Sequence, residues 1–123
     1  GRIRCRRGEG VLRITNIAIT PAAHRILREE RARFEPRREG DVFGLVYMFM
    51  FTDPDGTPVA GFRPGYSVES VSPVDVGDHW AMAQLIDGPD FVFMPRFEWN
   101  PTEQYIVDVA SSAFRLFSIA PAG

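Results

Sequence analysis

Asp75, Asp78 and His79 form the one local group whose residue types suit a metal ion, with Asp87 and Asp90 close behind. Hard cations take carboxylate oxygens and borderline metals accept imidazole. The spacing fits no specific motif, and solvated turn acids beside one surface histidine account for it more simply. Asp53-Pro54-Asp55-Gly56 has the opening of a calcium loop without the later ligands, so it reads as a turn. Nucleophilic catalysis needs a nucleophile beside a base that a third group orients. Ser111 and Ser112 are hydroxyls with no Gly-x-Ser-x-Gly elbow around them. Cys5 falls in a stretch that reads as a flexible arm, and His24 and His79 are the only imidazoles that could act as bases. A non-catalytic role is favoured over an enzyme. No cofactor is expected, and Asp75, Asp78 and His79 remain as the metal candidates.

Two features point to binding instead. All fourteen basic residues are arginine; residues 1–39 hold eleven of them against five Glu, and the remainder holds three against eleven acids. Arg2, Arg4, Arg6 and Arg7 make the first ten residues an Arg-Gly-rich arm that could neutralise phosphates in a salt-sensitive, sequence-independent way. The arm has no interleaved aromatics for base stacking, and the acidic remainder opposes nucleic acid. An arginine-studded helix lying on an acidic sheet domain explains the asymmetry better. The second feature is aromatic: Phe91, Phe93, Phe97, Trp99 and Tyr105. They could simply line the sheet core with Trp80. If the loop 95–101 instead presents Phe97 and Trp99 outward, they are the residue types that dominate interface hot spots. Met48, Met50 and Met82 leave open an apolar ligand pocket between helix and sheet.

These residues must be carried by a fold that a single stretch organises. Phe43-Gly44-Leu45-Val46-Tyr47-Met48-Phe49-Met50-Phe51 is apolar on both faces of an extended reading, as a central strand covered on both sides would be. The turn at 53–56 ends it, and 59–62 reads as its return strand. Upstream, 11–19 reads as a strand. Thr20 is placed to cap a helix and Pro21 to occupy its first turn, with Ala23, Ile26, Leu27 and Phe34 on one stripe. Downstream come an extended segment from Tyr66 to Val71, a short helix over 78–86 as one reading, and strands near 91–94, 105–109 and 113–119. The expected fold is α+β and mainly β. Antiparallel sheets would form a sandwich or pseudo-barrel with one N-terminal amphipathic helix. The arm is residues 1–10, and 11–123 form a single domain.

Ile19-Thr20-Pro21-Ala22-Ala23 with its helix, Gly44-Leu45-Val46-Tyr47 leading to Phe51-Thr52-Asp53, and Leu85-Ile86-Asp87-Gly88 before Phe91-Val92-Phe93 carry a resemblance to a known family. The pattern over about residues 12–94 resembles the HesB-like A-type iron–sulfur carriers. Val42 stands where that family has its first cysteine, and the paired C-terminal cysteines have no counterpart near Phe117-Ser118-Ile119. Iron–sulfur clusters need thiolate ligands, which valine cannot supply. The resemblance therefore implies a divergent member without cluster chemistry, in which residues 95–123 are an addition to the family's plan.

No apolar run is long enough to cross a membrane as a helix, no signal-peptide pattern opens the chain, and one cysteine cannot form an internal disulfide. The expectation is a cytoplasmic binding or assembly module. Its partner would be another protein or a second copy, bound through Phe97 and Trp99. The alternatives are an anionic partner such as nucleic acid on Arg2, Arg4, Arg6 and Arg7, or a small enzyme or metal protein using Asp75, Asp78 and His79.

Overall fold

The computed structural model describes residues 11–75, 79–84 and 90–122. Strands β1 (Val11–Arg13) and β2 (Ile17–Ile19) precede helix α1 (Pro21–Arg33). Then follow β3 (Val42–Met48), β4 (Gly65–Val71), a 3₁₀ turn at Pro73–Asp75, β5 (Trp80–Gln84), β6 (Asp90–Phe93), β7 (Tyr105–Ser111) and β8 (Leu116–Pro121). One mixed sheet takes all eight strands in the order β1-β5-β6-β3-β4-β8-β7-β2. The pairs β1–β5, β2–β7 and β3–β6 are parallel, against the expectation of antiparallel sheets alone. Two separate sheets are not seen among the described residues, and the single sheet is not closed.

The sheet's two edge strands are consecutive in the chain, and this dictates its shape. Laid flat, eight strands would separate the outermost pair by about 34 Å. Residues 14–16 allow Arg13 and Ile17 to stand at most about 14 Å apart. The sheet must curl. The connection serves both edges: the Ile14 N–H donates to the Met82 carbonyl at 2.9 Å, and the Asn16 carbonyl accepts from the Tyr105 N–H at 2.9 Å. The strand expected over 11–19 is thus split in two, with Ile14 fully buried at the crossing.

Inside the curl lie Phe43 and Leu45 of β3, Tyr66 of β4, Phe91 and Phe93 of β6, Tyr105 and Val107 of β7, and Phe117 of β8. Helix α1 adds Ala23, Ile26 and Leu27 to this core. Its start is locked as the sequence predicts. The Thr20 hydroxyl oxygen accepts from the Ala23 N–H at 3.2 Å and the hydroxyl donates to Asp108 on β7 at 2.8 Å, while Pro21 fills the first position. Phe34 closes the helix and meets Phe43 edge-on at 5.3 Å.

The segment expected as a short helix over 78–86 is strand β5 where it is described. Ala81 and Ala83 are buried inside the curl, while Trp80 and Met82 alternate to the other face half-buried. That two-residue period decides for a strand over the helix-forming composition. The return strand of β3 is β4, in the register Val42↔Val71 to Met48↔Gly65. Residues 59–62 contribute no strand; only a Thr52↔Pro58 bridge forms there.

Gly44 lets β3 sit between its neighbours. A Cβ built on it would lie 2.3 Å from Val71 Cγ2 and 3.4 Å from Val92 Cγ2. Gly44→Ala should cost about 1–3 kcal/mol through overpacking, measured by urea denaturation. Val71→Ala in the same chain should recover part of that loss. Tyr66, only 2% exposed, gives a second test. Burial pushes its phenol up from 10.0 to about 12, although the Arg96 N–H donated to its oxygen pulls the other way. The folded chain thus holds this proton more tightly than the unfolded chain does. The contribution is complete below pH 10 and is lost as pH rises from 10 to 12. It amounts to at most roughly 3 kcal/mol. Tyr66→Phe should flatten that alkaline loss of stability; an unchanged slope would contradict the assignment.

Candidate functional site

The apolar stretch that organises the sheet does not stay within it. Pairing of β3 with β4 ends at Met48↔Gly65, and residues 49–64 leave the sheet as an excursion. Phe49 is 70% exposed, Met50 53%, Phe51 43% and Val46 37%. The expectation that 43–51 is covered on both sides therefore holds for Phe43, Gly44 and Leu45, is half met at Tyr47 and Met48, and fails at Val46 and from Phe49 onward. The excursion is held by its own hydrogen bonds: the Val59 N–H donates to the Phe51 carbonyl at 2.9 Å, and the Asp53 N–H to the Thr57 carbonyl at 2.8 Å. Asp53 to Gly56 form the expected turn. Gly56 takes φ +88°, and the Asp55 carboxylate accepts from the Thr57 N–H, which holds its pKa below the usual range.

At the base of the excursion Phe51 stacks on Phe62 at 5.9 Å, and Phe114 from the β7–β8 turn meets both edge-on at 5.6 and 5.3 Å. These rings, with Met48, Ser67, Val68 and Leu116, line a cavity of about 310 Å³. Glu30 of α1 and Arg115 complete its wall. Arg115 has φ +53°, a left-handed conformation uncommon for a side chain of this size. Its Nε donates to Glu30 at 2.6 Å and its Nη2 to Glu29 at 2.7 Å, tying the helix to the β7–β8 turn. Arg33 also pairs with Glu30. The hydrogen bond from Arg115 holds the Glu29 carboxyl below its ordinary range, and Glu29 and then Glu30 push the Arg115 guanidinium upward. Both carboxylates thus accept hydrogen bonds from the Arg115 guanidinium.

The cavity is therefore apolar with a compensated ionic wall. Its hydroxyl, Ser67 Oγ, donates to Glu69 at 2.8 Å rather than to an imidazole. Such a site can hold an apolar group; it offers no activated nucleophile. Of the three methionines that left a ligand pocket open, Met48 lines the cavity, whereas Met50 stands exposed and Met82 lies on β5.

The residues singled out in the sequence lie elsewhere. Phe97 stacks on Tyr105 at 4.6 Å, and it and Trp99 are half-buried against the core, so neither is an exposed anchor. The Trp99 indole nitrogen is itself buried without a hydrogen-bond partner. Asp75 and His79 are exposed, Asp90 pairs with Arg13, and Asp78 and Asp87 lie outside the described residues. No group of three metal-ligating side chains forms among the described residues. Ser111 Oγ accepts from the Phe114 N–H at 3.2 Å, a turn-supporting role. Arg2, Arg4, Cys5, Arg6 and Arg7 lie outside the described residues.

Sequence reasoning missed Phe49 and Met50 as exposed groups, and Phe62, Phe114 and Arg115 as a cluster. One signal was present: Phe49 to Phe51 stand within five residues of Pro54, where a strand is running out of its sheet. No family model, curated protein or solved structure matches this chain. No described helix is long and apolar enough to cross a membrane.

Proposed function

We propose that this chain is a non-catalytic binding module whose recognition surface is the exposed end of the β3 stretch. Phe49, Met50 and Phe51 form its projecting part, and the Phe51–Phe62–Phe114 cavity its recess. The observation that carries the reading is the exposure of three consecutive large apolar side chains beside a core already filled by other residues. Contiguous apolar surface of this kind marks partner or ligand sites, and aromatic side chains supply most of the energy in such contacts. The HesB-like resemblance adds no ligand chemistry to this proposal, because Val42 occupies the cysteine position.

Phe49→Ser with Met50→Ser should leave stability within about 0.5 kcal/mol, since neither side chain is in the core. Native mass spectrometry of the wild type, isolated gently from its own source, should show a bound species above 13.8 kDa that the double variant lacks. Identical bare masses for both proteins would overturn the proposal.

A further inference from the structure

Resting on that reading, we infer that the partner is an extended segment of another protein, apolar at alternate positions, which adds to β3 as a strand in line with β6. Strand β3 outruns one of its neighbours. On one side β4 pairs with it as far as Met48; on the other the parallel pairing with β6 ends at Leu45↔Phe93. Consecutive residues of a strand direct their N–H and C=O to opposite sides. One of Tyr47 and Met48 therefore points both groups to the β6 side, and among the described residues no backbone group bonds to them there. The chain that leaves β6 explains the opening. Pro95 has no N–H with which to continue the ladder. Arg96 then turns to the inner face: its N–H donates to the Tyr66 hydroxyl at 3.0 Å, and its guanidinium lies 4.7 Å from the centre of the Tyr47 ring. Tyr47 meets Tyr66 edge-on at 5.2 Å, and Tyr66 belongs to the core. On the outer face the open edge is bordered by Val46, 37% exposed, and leads directly to Phe49 and Met50.

The open main-chain groups decide the kind of partner. A helix spends its N–H and C=O groups on itself, and a small apolar molecule has none to offer. An extended peptide supplies both, and its alternate side chains meet the apolar surface. The topology argues against a second copy of β3 in that place. Strands β6, β5 and β1 all lie on this side of β3. The open stretch is therefore a gap beyond the end of β6, about 10 Å long over residues 46–48. A second copy's β3 is flanked in the same way, so two such gaps cannot meet, whereas a single extended segment can enter one.

The test is amide hydrogen–deuterium exchange of the full chain, read residue by residue by nuclear magnetic resonance. The probe is a pool of capped, uncharged pentapeptides at millimolar concentration, alternating Thr with Val, Ile, Leu or Phe. A second pool is N-methylated throughout, which removes the backbone donors and keeps the side chains. Whichever of the Tyr47 and Met48 amides faces the gap should exchange readily in the chain alone. The first pool should slow it at least about tenfold, and the second should not. Equal protection by both pools, or changes confined to Phe49 and Met50, means apolar contact without strand pairing and overturns the inference. Protection of the same amide on concentrating the chain alone makes the occupant a second copy and overturns it too. If no peptide protects that amide, the inference falls. The binding reading falls with it only when wild type and the Phe49/Met50 double variant also leave their own source with the same bare mass.

Discussion

The structure depends on one constraint: a three-residue crossing, 14–16, must serve both edges of an eight-stranded sheet. A chain that short cannot span a flat sheet, so the sheet wraps around the side chains between its edges. Parallel pairing at both edges follows from the same crossing, because β1 and β2 run successively along β5 and β7. The wrapped face collects nearly all of the large fully buried side chains, from Ile14 at the crossing to Phe117 on β8. Helix α1 is then held in place from two directions. Thr20 bonds to Asp108 at its start, and Glu29 and Glu30 reach Arg115 near its end.

That arrangement explains why the most apolar stretch of the chain divides. Strand β4 pairs with β3 as far as Met48 and β6 at Gly44 and Leu45, and there the inner residues of β3 are consumed by the core. Past Met48 there is no strand to pair with. Alternation alone would place Phe49 and Phe51 on the face of Phe43 and Leu45, but outside the sheet Phe49 stands exposed and Phe51 is caught only by Phe62 and Phe114. The β7–β8 turn supplies Phe114, with Arg115 next to it in a left-handed conformation supported by two carboxylates. Backbone strain of this kind persists where surrounding contacts over-determine it. Here those contacts also shape the recess.

Local chemistry was legible in the sequence; long-range partnership was not. Thr20 and Pro21 announce a helix start because capping is settled within four residues. Asp53 to Gly56 announce a turn for the same reason. The helix reading over 78–86 failed because Ala, Met and Gln favour helices, whereas pairing of Ala81 with Phe93 and of Leu12 with Ala81 came from strands distant in sequence. The aromatic loop misled in a related way. Phe97 and Trp99 are hot-spot residue types, but Tyr105, which Phe97 stacks on, is itself fixed by β7. Exposure is a property of the sheet's edges and ends, and no residue type encodes it. Arg115 joined to Glu29 and Glu30 spans 85 residues, a distance over which no spacing rule operates.

The central claim is that the apolar stretch serves the core in its first half and a binding surface in its second. Hydroxyl-radical footprinting of the folded chain, read by mass spectrometry, tests it most directly. Phe49 and Met50 should oxidise rapidly in dilute protein and become protected in the partner-bound form, while Phe43 and Phe93 stay protected in both. Protection of Phe49 and Met50 equal to that of Phe43 in dilute, folded protein would contradict the account.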